Sequence, residues 1–228
     1  MAIEIYHPQW GAARTIRGVL FDMDGLVLDS EKLYSRFWME ACHFYGFPMT
    51  YEQSLKMRAL NRHAGAAMLH SFFGEAADYI QIRAKRIELM DAFVEEYGVE
   101  LKPGIFALMD YLQEHSIATA IASSSPPDRI RSHLSRHGLD VRFDRLCSGY
   151  EVPNGKPAPD IYLYGAECLG LRPEECMALE DAPAGILSAS RAGCLPVMIP
   201  DQDQPLPEIT ELLYAKADCL SDVIDLLK

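Results

Sequence analysis

Apolar positions near the start of the chain bunch into a short run, Val19–Phe21, that stops at the polar cluster Asp22-Met23-Asp24-Gly25. Such a run, lying within Thr15–Asp22, is the pattern of a strand buried on both faces. Comparable runs recur at Ile117–Ala122, Arg145–Ser148, Cys176–Glu180 and Leu195–Ile199. Between the later ones the apolar spacing changes to the three-to-four of a helix. Ile105, Leu108, Met109 and Leu112 form one stripe, Ile130 and Leu134 belong to another, and Ile161, Tyr164, Cys168 and Leu169 predict a third. Strands alternating with helices predict an α/β fold built on a doubly wound parallel sheet.

The stretch from Asp22 to Ile117 is far longer than one crossover needs, and most of it reads as helix. Leu33/Tyr34, Phe37/Trp38, Ala41/Cys42 and Phe44/Tyr45 recur every three to four residues, and Ala-rich helical text runs from Ala64 to Tyr97. Lys102-Pro103-Gly104 then punctuates the return to strand-and-helix alternation. The economical reading is a core domain of residues 1–29 and 102–228 carrying an inserted helical cap of residues 30–101. Pro200–Pro207, with its three prolines, predicts a loop before a final short helix. There is no internal repeat and no low-complexity tract.

Composition narrows the function classes. With 49% apolar and 24% charged residues among 228, the chain is an ordinary globular one. Its 21 basic and 33 acidic residues leave a net charge of −12, with no basic run. That field disfavours nucleic acid and anionic lipid as partners. A small anionic substrate would need a local group of positive charges. No apolar stretch approaches the roughly 20 residues of a membrane span, and the N-terminal text lacks the basic-then-apolar order of a secretory signal. It reads as a short extension ahead of the fold. The six cysteines are scattered without metal spacing, which predicts reduced thiols and a cytoplasmic protein. A monomer or a small homo-oligomer is expected.

In open α/β sheets, ligands sit outside the carboxyl ends of the strands. The polar residues there are Asp22 and Asp24 after the first strand, Ser123-Ser124-Ser125 after the second, Lys156 past the third, and Glu180-Asp181 at the fourth. Carboxylates gathered in one place repel one another unless a cation lies between them, and all-oxygen ligands favour Mg2+. Lysine and hydroxyls beside them suit a bound phosphoryl group. Two carboxylates two residues apart can divide the work, one attacking and the other donating a proton. Each motif also has a plainer reading. Asp22-Met23-Asp24-Gly25 alone is a turn; the calcium-loop version fails, because its twelfth position is Leu33 rather than Glu. Ser123–Ser125 alone would be a loop or a helix cap before Pro126-Pro127, Glu180-Asp181 would cap the helix near Pro183, and Lys156 would be a solvated lysine. Their joint appearance, each at a predicted strand end, favours a site.

The text FDMDGLVLDSE (Phe21–Glu31), ASSS (Ala122–Ser125), GKPAPD (Gly155–Asp160) and LEDAPAGI (Leu179–Ile186) resembles the haloacid dehalogenase superfamily, in its phosphatase and β-phosphoglucomutase-like branch. The resemblance implies a Rossmann-like core with a helical cap and Mg2+-dependent hydrolysis of a small phosphorylated metabolite. By the same resemblance Asp22 would carry an aspartyl-phosphate and Asp24 would act as general acid and then base. Ser123, Ser124 and Lys156 would bind the phosphoryl group, and Asp22, the Asp24 carbonyl, Glu180 and Asp181 would hold Mg2+, Glu180 directly or through water. Asp24 favours an oxygen leaving group, since halide departure needs no proton. Tyr34 stands where the mutases carry a hinge histidine, and a phenol that titrates near about 10 is a poor substitute, so hydrolysis is favoured over a sugar-phosphate mutase. A catalytically idle binding module is the remaining alternative. In the cap, Asn61 and Arg62 fall in the family's specificity segment and would contact the distal part of the substrate, Arg62 being equally readable as a solvated helix-start residue. His63 and His70 are expected at the surface, and the aromatic stripe Tyr34–Tyr45 within the cap's own core.

Overall fold

The computed structural model describes residues 3–5, 14–57, 60, 62–201 and 205–228. The chain divides into two compact units, one of Met1–Leu28 with Glu100–Lys228 and one of Asp29–Val99.

The first unit is built on a parallel sheet. Its strands are β3 (Gly18–Phe21), β4 (Ala118–Ser123), β5 (Arg145–Ser148), β6 (Cys176–Glu180), β7 (Leu195–Met198) and β8 (Ala215–Lys216), preceded by a separate antiparallel pair, β1 (Ile3–Ile5) and β2 (Arg14–Ile16). The sheet order is β5-β4-β3-β6-β7-β8, and every neighbouring pair runs parallel. The chain moves outward from β3 through β4 to β5, then returns to the other side of β3 with β6. That reversal puts the carboxyl ends of β3, β4 and β6 side by side at the switch point, where α/β sheets open a ligand crevice.

Every residue of β3 is buried, as its apolar run demands. Alternation sends successive side chains to opposite faces. Leu20 joins Ala120, Ala122, Tyr162, Ala178 and Ala189 in one core cluster, while Phe21 meets Phe143 edge-on, with ring centroids 5.3 Å apart. Each large side chain so enclosed contributes about 1.5–3 kcal/mol. The single strand expected over Thr15–Asp22 is in fact two. Arg17 breaks it: its side chain is 54% exposed and reaches Glu175 at 3.4 Å, while its N–H donates to the Glu175 carbonyl. The stretch read as a mere extension supplies β1, with Ile3 opposite Ile16.

The helices of this unit are α5 (Ile105–Glu114), α6 (Pro127–Ser135), α7 (Asp160–Cys168), α8 (Pro183–Ala192), α9 (Pro207–Thr210) and α10 (Val223–Leu226). In α5 the buried residues are Ile105, Leu108, Met109 and Leu112, the stripe the spacing predicts. In α7 the buried face is Ile161, Tyr162, Gly165 and Ala166 instead of Ile161, Tyr164, Cys168 and Leu169. Small residues decide this, because a Cβ on Gly165 would lie 3.2 Å from Leu20 Cδ2, and the helix therefore comes close to the sheet. The displaced Tyr164, Cys168 and Leu169 pack at the margin of the same cluster. Both α6 and α8 begin with proline in the first turn and have no side-chain cap, so the plainer reading of Ser123–Ser125 and Glu180-Asp181 as helix caps is not what the structure shows. The loop expected over Pro200–Pro207 falls partly on residues 202–204, outside the described residues.

The second unit is helical: α1 (Glu31–Phe44), α2 (Tyr51–Leu55), α3 (Arg62–Phe73) and α4 (Tyr79–Tyr97). Helix α1 buries Leu33, Phe37, Trp38, Ala41 and Cys42 but leaves Phe44 and Tyr45 exposed, so the predicted stripe ends one turn early. Trp38 stacks on Tyr79 at 5.9 Å, and the Arg86 guanidinium lies over both Trp38 and Tyr34. Arg86 is itself buried, which makes this cation–π pair part of the unit's core. The helical text from Ala64 to Tyr97 is split at Gly74, and Asp78 starts α4 afresh by accepting from the N–H groups of Ile80 and Gln81. Helix α2, too short to show periodicity, is opened by a capping box between Thr50 and Gln53. No helix among the described residues is long and apolar enough to cross a membrane.

Candidate active site

Four strand ends and one loop build the site. Phe21 is paired with Ile121 on one side and Leu179 on the other, so the next residue, Asp22, leaves the sheet level with Ala122 and Glu180. The Asp22 N–H donates to the Leu179 carbonyl at 3.0 Å, which pins the nucleophile candidate to β6. The chain then turns sharply: Val27 and Leu28 N–H groups both donate to the Met23 carbonyl, and Gly25 takes a φ of 90° that a side chain would resist. Asp24 is half-buried within this turn.

Lys156 reaches the same point from the loop after β5. That loop is tied down on several sides. Asp160 accepts from the N–H and Nδ2 of Asn154, the Ser188 hydroxyl donates to the Ala158 carbonyl, and Arg191 donates to the Pro157 carbonyl. Lys156 Nζ donates to Asp22 Oδ1 at 2.5 Å and to Glu180 Oε1 at 2.6 Å. Glu180 ends β6 at 1% exposure and Asp181 follows at 8%. Asp22, Glu180 and Asp181 each offer a carboxylate oxygen within 4.8 Å of the other two. The structure therefore brings Asp22, Lys156, Glu180 and Asp181 together.

Asp22 and Glu180 share one ammonium with Asp181 beside them, and carboxylates gathered this closely while buried repel one another. Burial pushes the Asp22 carboxyl up, to about 8, with the Lys156 ammonium pulling against that rise and Glu180 adding to it. For Lys156, burial acts downward, but the Asp22 and Glu180 carboxylates outweigh it and hold the ammonium above the usual lysine range. A divalent cation among them would relieve that repulsion, and the all-oxygen donor set of Asp22, Asp181 and Glu180 fits Mg2+.

The serines after β4 take specific places. Ser123 is buried and its Oγ accepts from the Ser125 N–H at 3.1 Å. Ser124 is exposed. Ser125, which the sequence places with Ser123 and Ser124 at the end of the second strand, donates its hydroxyl to Asp24 Oδ2 at 2.9 Å. Its carbonyl accepts from the buried Ser148 hydroxyl at the end of β5. Two residues of the site, Tyr162 and Gly185, lie outside the strand ends that the sequence singles out. Tyr162 donates its hydroxyl to Glu180 Oε1 at 2.5 Å, and burial beside Glu180 and Asp22 drives the phenol well above its ordinary range, so it stays a donor. Gly185 lies so close to Glu180 that a Cβ would collide with the carboxylate. In the helical unit, Arg62 is exposed at the start of α3, His63 and His70 are exposed, and Asn61 lies outside the described residues.

The profile of the haloacid dehalogenase-like hydrolases matches residues 16–193. Hexitol phosphatase A of Escherichia coli is 33% identical over 201 residues, which are 87% of this chain and 91% of that protein. The phosphorylated carbohydrates phosphatase of Thermotoga maritima is 30% identical over 178 residues, 78% of this chain and 82% of that one. A solved structure from Thermotoga maritima, provisionally named a β-phosphoglucomutase, superposes with a TM-score of 0.77 over 93% of this chain and 98% of its own, at 24% identity. That likeness concerns the fold alone. On the breadth of the profile and of the match to the Escherichia coli protein, the chain belongs to the haloacid dehalogenase-like hydrolase family.

Proposed function

We propose that this chain is a Mg2+-dependent phosphatase that hydrolyses a small phosphorylated metabolite through an aspartyl-phosphate on Asp22. One observation carries the reading: Lys156 Nζ lies between Asp22 Oδ1 and Glu180 Oε1, within a group of three buried carboxylates at the sheet's switch point. A carboxylate held this way has a fixed direction of attack. Asp22 attacks phosphorus as the ester oxygen departs. Asp24, two residues on and oriented by the Ser125 hydroxyl, gives that oxygen a proton. Asp24 then takes a proton from the water that attacks phosphorus, which frees inorganic phosphate and returns Asp22. Lys156 offsets negative charge on Asp22 and on the transferring group, and Ser123 and Ser124 offer hydroxyls to its oxygens. Mg2+, held by Asp22, the Asp24 carbonyl and Asp181 with Glu180 behind them, would neutralise charge developing on the phosphoryl oxygens.

Two of the relatives are named for hexitol and for phosphorylated carbohydrates. This supports a sugar phosphate or sugar-alcohol phosphate as substrate, with Arg62 and Asn61 as contacts to its hydroxyl-bearing end. Tyr34 stands where the mutases this chain resembles carry a hinge histidine, and a phenol in place of an imidazole supports water rather than a sugar as acceptor. The six cysteines are free thiols, in keeping with a cytoplasmic enzyme.

Phosphate release from a panel of such esters tests the reading. Turnover is expected with Mg2+, without a bisphosphate activator, and is expected to vanish with a chelator. Release no faster than that of Asp22→Asn across the panel would overturn it.

Binding of the ion has its own readout. Mg2+ at a hundredfold its dissociation constant adds about 2.7 kcal/mol to the folded state, a rise in melting temperature of about 5–10 °C for a chain of this size. Asp181→Asn is expected to lose most of that rise while still folding. An equal rise in wild type and variant would remove Asp181 from the binding site.

A further inference from the structure

Glu180 is held from three directions. The Tyr162 hydroxyl and Lys156 Nζ both donate to its Oε1, at 2.5 and 2.6 Å, and Nζ goes on to Asp22 Oδ1 at 2.5 Å. Phenol, carboxylate, ammonium and carboxylate form one continuous line, from the core face of α7 to the candidate nucleophile. Tyr162 is fully enclosed in the cluster that α7 makes with the sheet, so its hydroxyl has little freedom to move. Lys156 Nζ also lies 5.1 Å from the centre of the Tyr162 ring, which steadies the ammonium from a second side. Across the carboxylate stands Gly185, in the first turn of α8. A Cβ there would lie 1.9 Å from Glu180 Cδ and Oε1 and 2.2 Å from Oε2. No side chain is compatible with the carboxylate where it now sits.

We propose that Tyr162 and Gly185 are positioning residues that fix the Glu180 carboxylate so that Glu180 in turn aims the Lys156 ammonium at Asp22. The inference rests on the reading of Asp22 as nucleophile. Its physical basis is a shortage of donors. One ammonium serves two buried carboxylates, and the phenol gives Glu180 a second donor that leaves Lys156 free to stay within reach of Asp22. Without the hydroxyl, Glu180 competes harder for Nζ and draws it away from the nucleophile. Without the glycine, the carboxylate has to turn out of its seat.

The ring can be kept while the hydroxyl is removed, so Tyr162→Phe isolates the contact. Steady-state kinetics on p-nitrophenyl phosphate with saturating Mg2+, run well below each variant's melting temperature, are expected to show kcat reduced about tenfold for Tyr162→Phe. The KM should stay within twofold of wild type, since both residues are buried and act through Glu180. Gly185→Ala is expected to lower kcat about a hundredfold with the same unchanged KM. For either variant, a kcat within twofold of wild type, or a loss that appears in KM alone, overturns the positioning role, whatever happens to the melting temperature. Asp22→Asn run alongside separates the two readings: wild-type turnover in that variant would remove the nucleophile, and with it the target that Lys156 is aimed at.

Discussion

Asp22→Asn is expected to lower phosphate release by about ten-thousand-fold, equivalent to about 5 kcal/mol of lost transition-state stabilisation. The amide has the size of the carboxylate and can still accept from Lys156 Nζ, so the contact seen at Asp22 Oδ1 survives. What disappears is the charge and the nucleophilic oxygen. Without metal, circular dichroism should match wild type and the melting temperature should be no lower, because burial works against the ionised form of Asp22 and the amide removes that cost. A variant that kept a tenth of wild-type turnover would mean that water attacks the ester directly.

Asp24→Asn separates the two chemical steps. A general acid or base contributes about a hundred- to ten-thousand-fold, so turnover of an alkyl phosphate such as a sugar-alcohol ester should fall by about a thousandfold. A nitrophenolate leaves without needing a proton, and for p-nitrophenyl phosphate the first step should be nearly spared. The second step still lacks its base. Rapid mixing is then expected to give a burst of nitrophenolate equal to the enzyme concentration, followed by slow turnover. Equal losses on both esters with no burst would take Asp24 out of both proton transfers. Ser125→Ala removes the hydroxyl that orients Asp24 and should give a smaller loss of the same kind, about tenfold on the alkyl ester.

Much of this site could be read along the chain because parallel strands buried on both faces are short apolar runs, and a polar residue that ends one is conspicuous. Asp22, Ser123 and Glu180 each stood at such an end, and the sheet order brings their strands together. The residues that escaped act through contacts made across long sequence separations. Tyr162 sat one position off the apolar spacing Ile161, Tyr164, Cys168, and only the closeness of α7 to Leu20, allowed by Gly165, turns its phenol toward Glu180. Ser125 stood with Ser123 and Ser124 at a strand end, but its contact was not legible there: proline in the first turn leaves α6 with less need of a cap, and the hydroxyl reaches Asp24. Arg17 carried a signal that went unused: a charged residue inside an apolar run marks the break between β2 and β3. The helical unit was the least legible. Its α3 and α4 share one unbroken helical pattern, and the glycine and the capping aspartate that divide them weigh little against that periodicity.

The proposal that most needs a direct measurement is the covalent one. Wild-type enzyme and a substrate ester would be mixed with Mg2+, quenched in acid within one turnover, digested, and analysed by mass spectrometry. The expected result is a phosphoryl group on Asp22 that grows in at the rate of ester cleavage and is absent from Asp22→Asn. Phosphoryl on a different residue, or inorganic phosphate formed at full rate with no phosphorylated peptide at any time, would contradict the account.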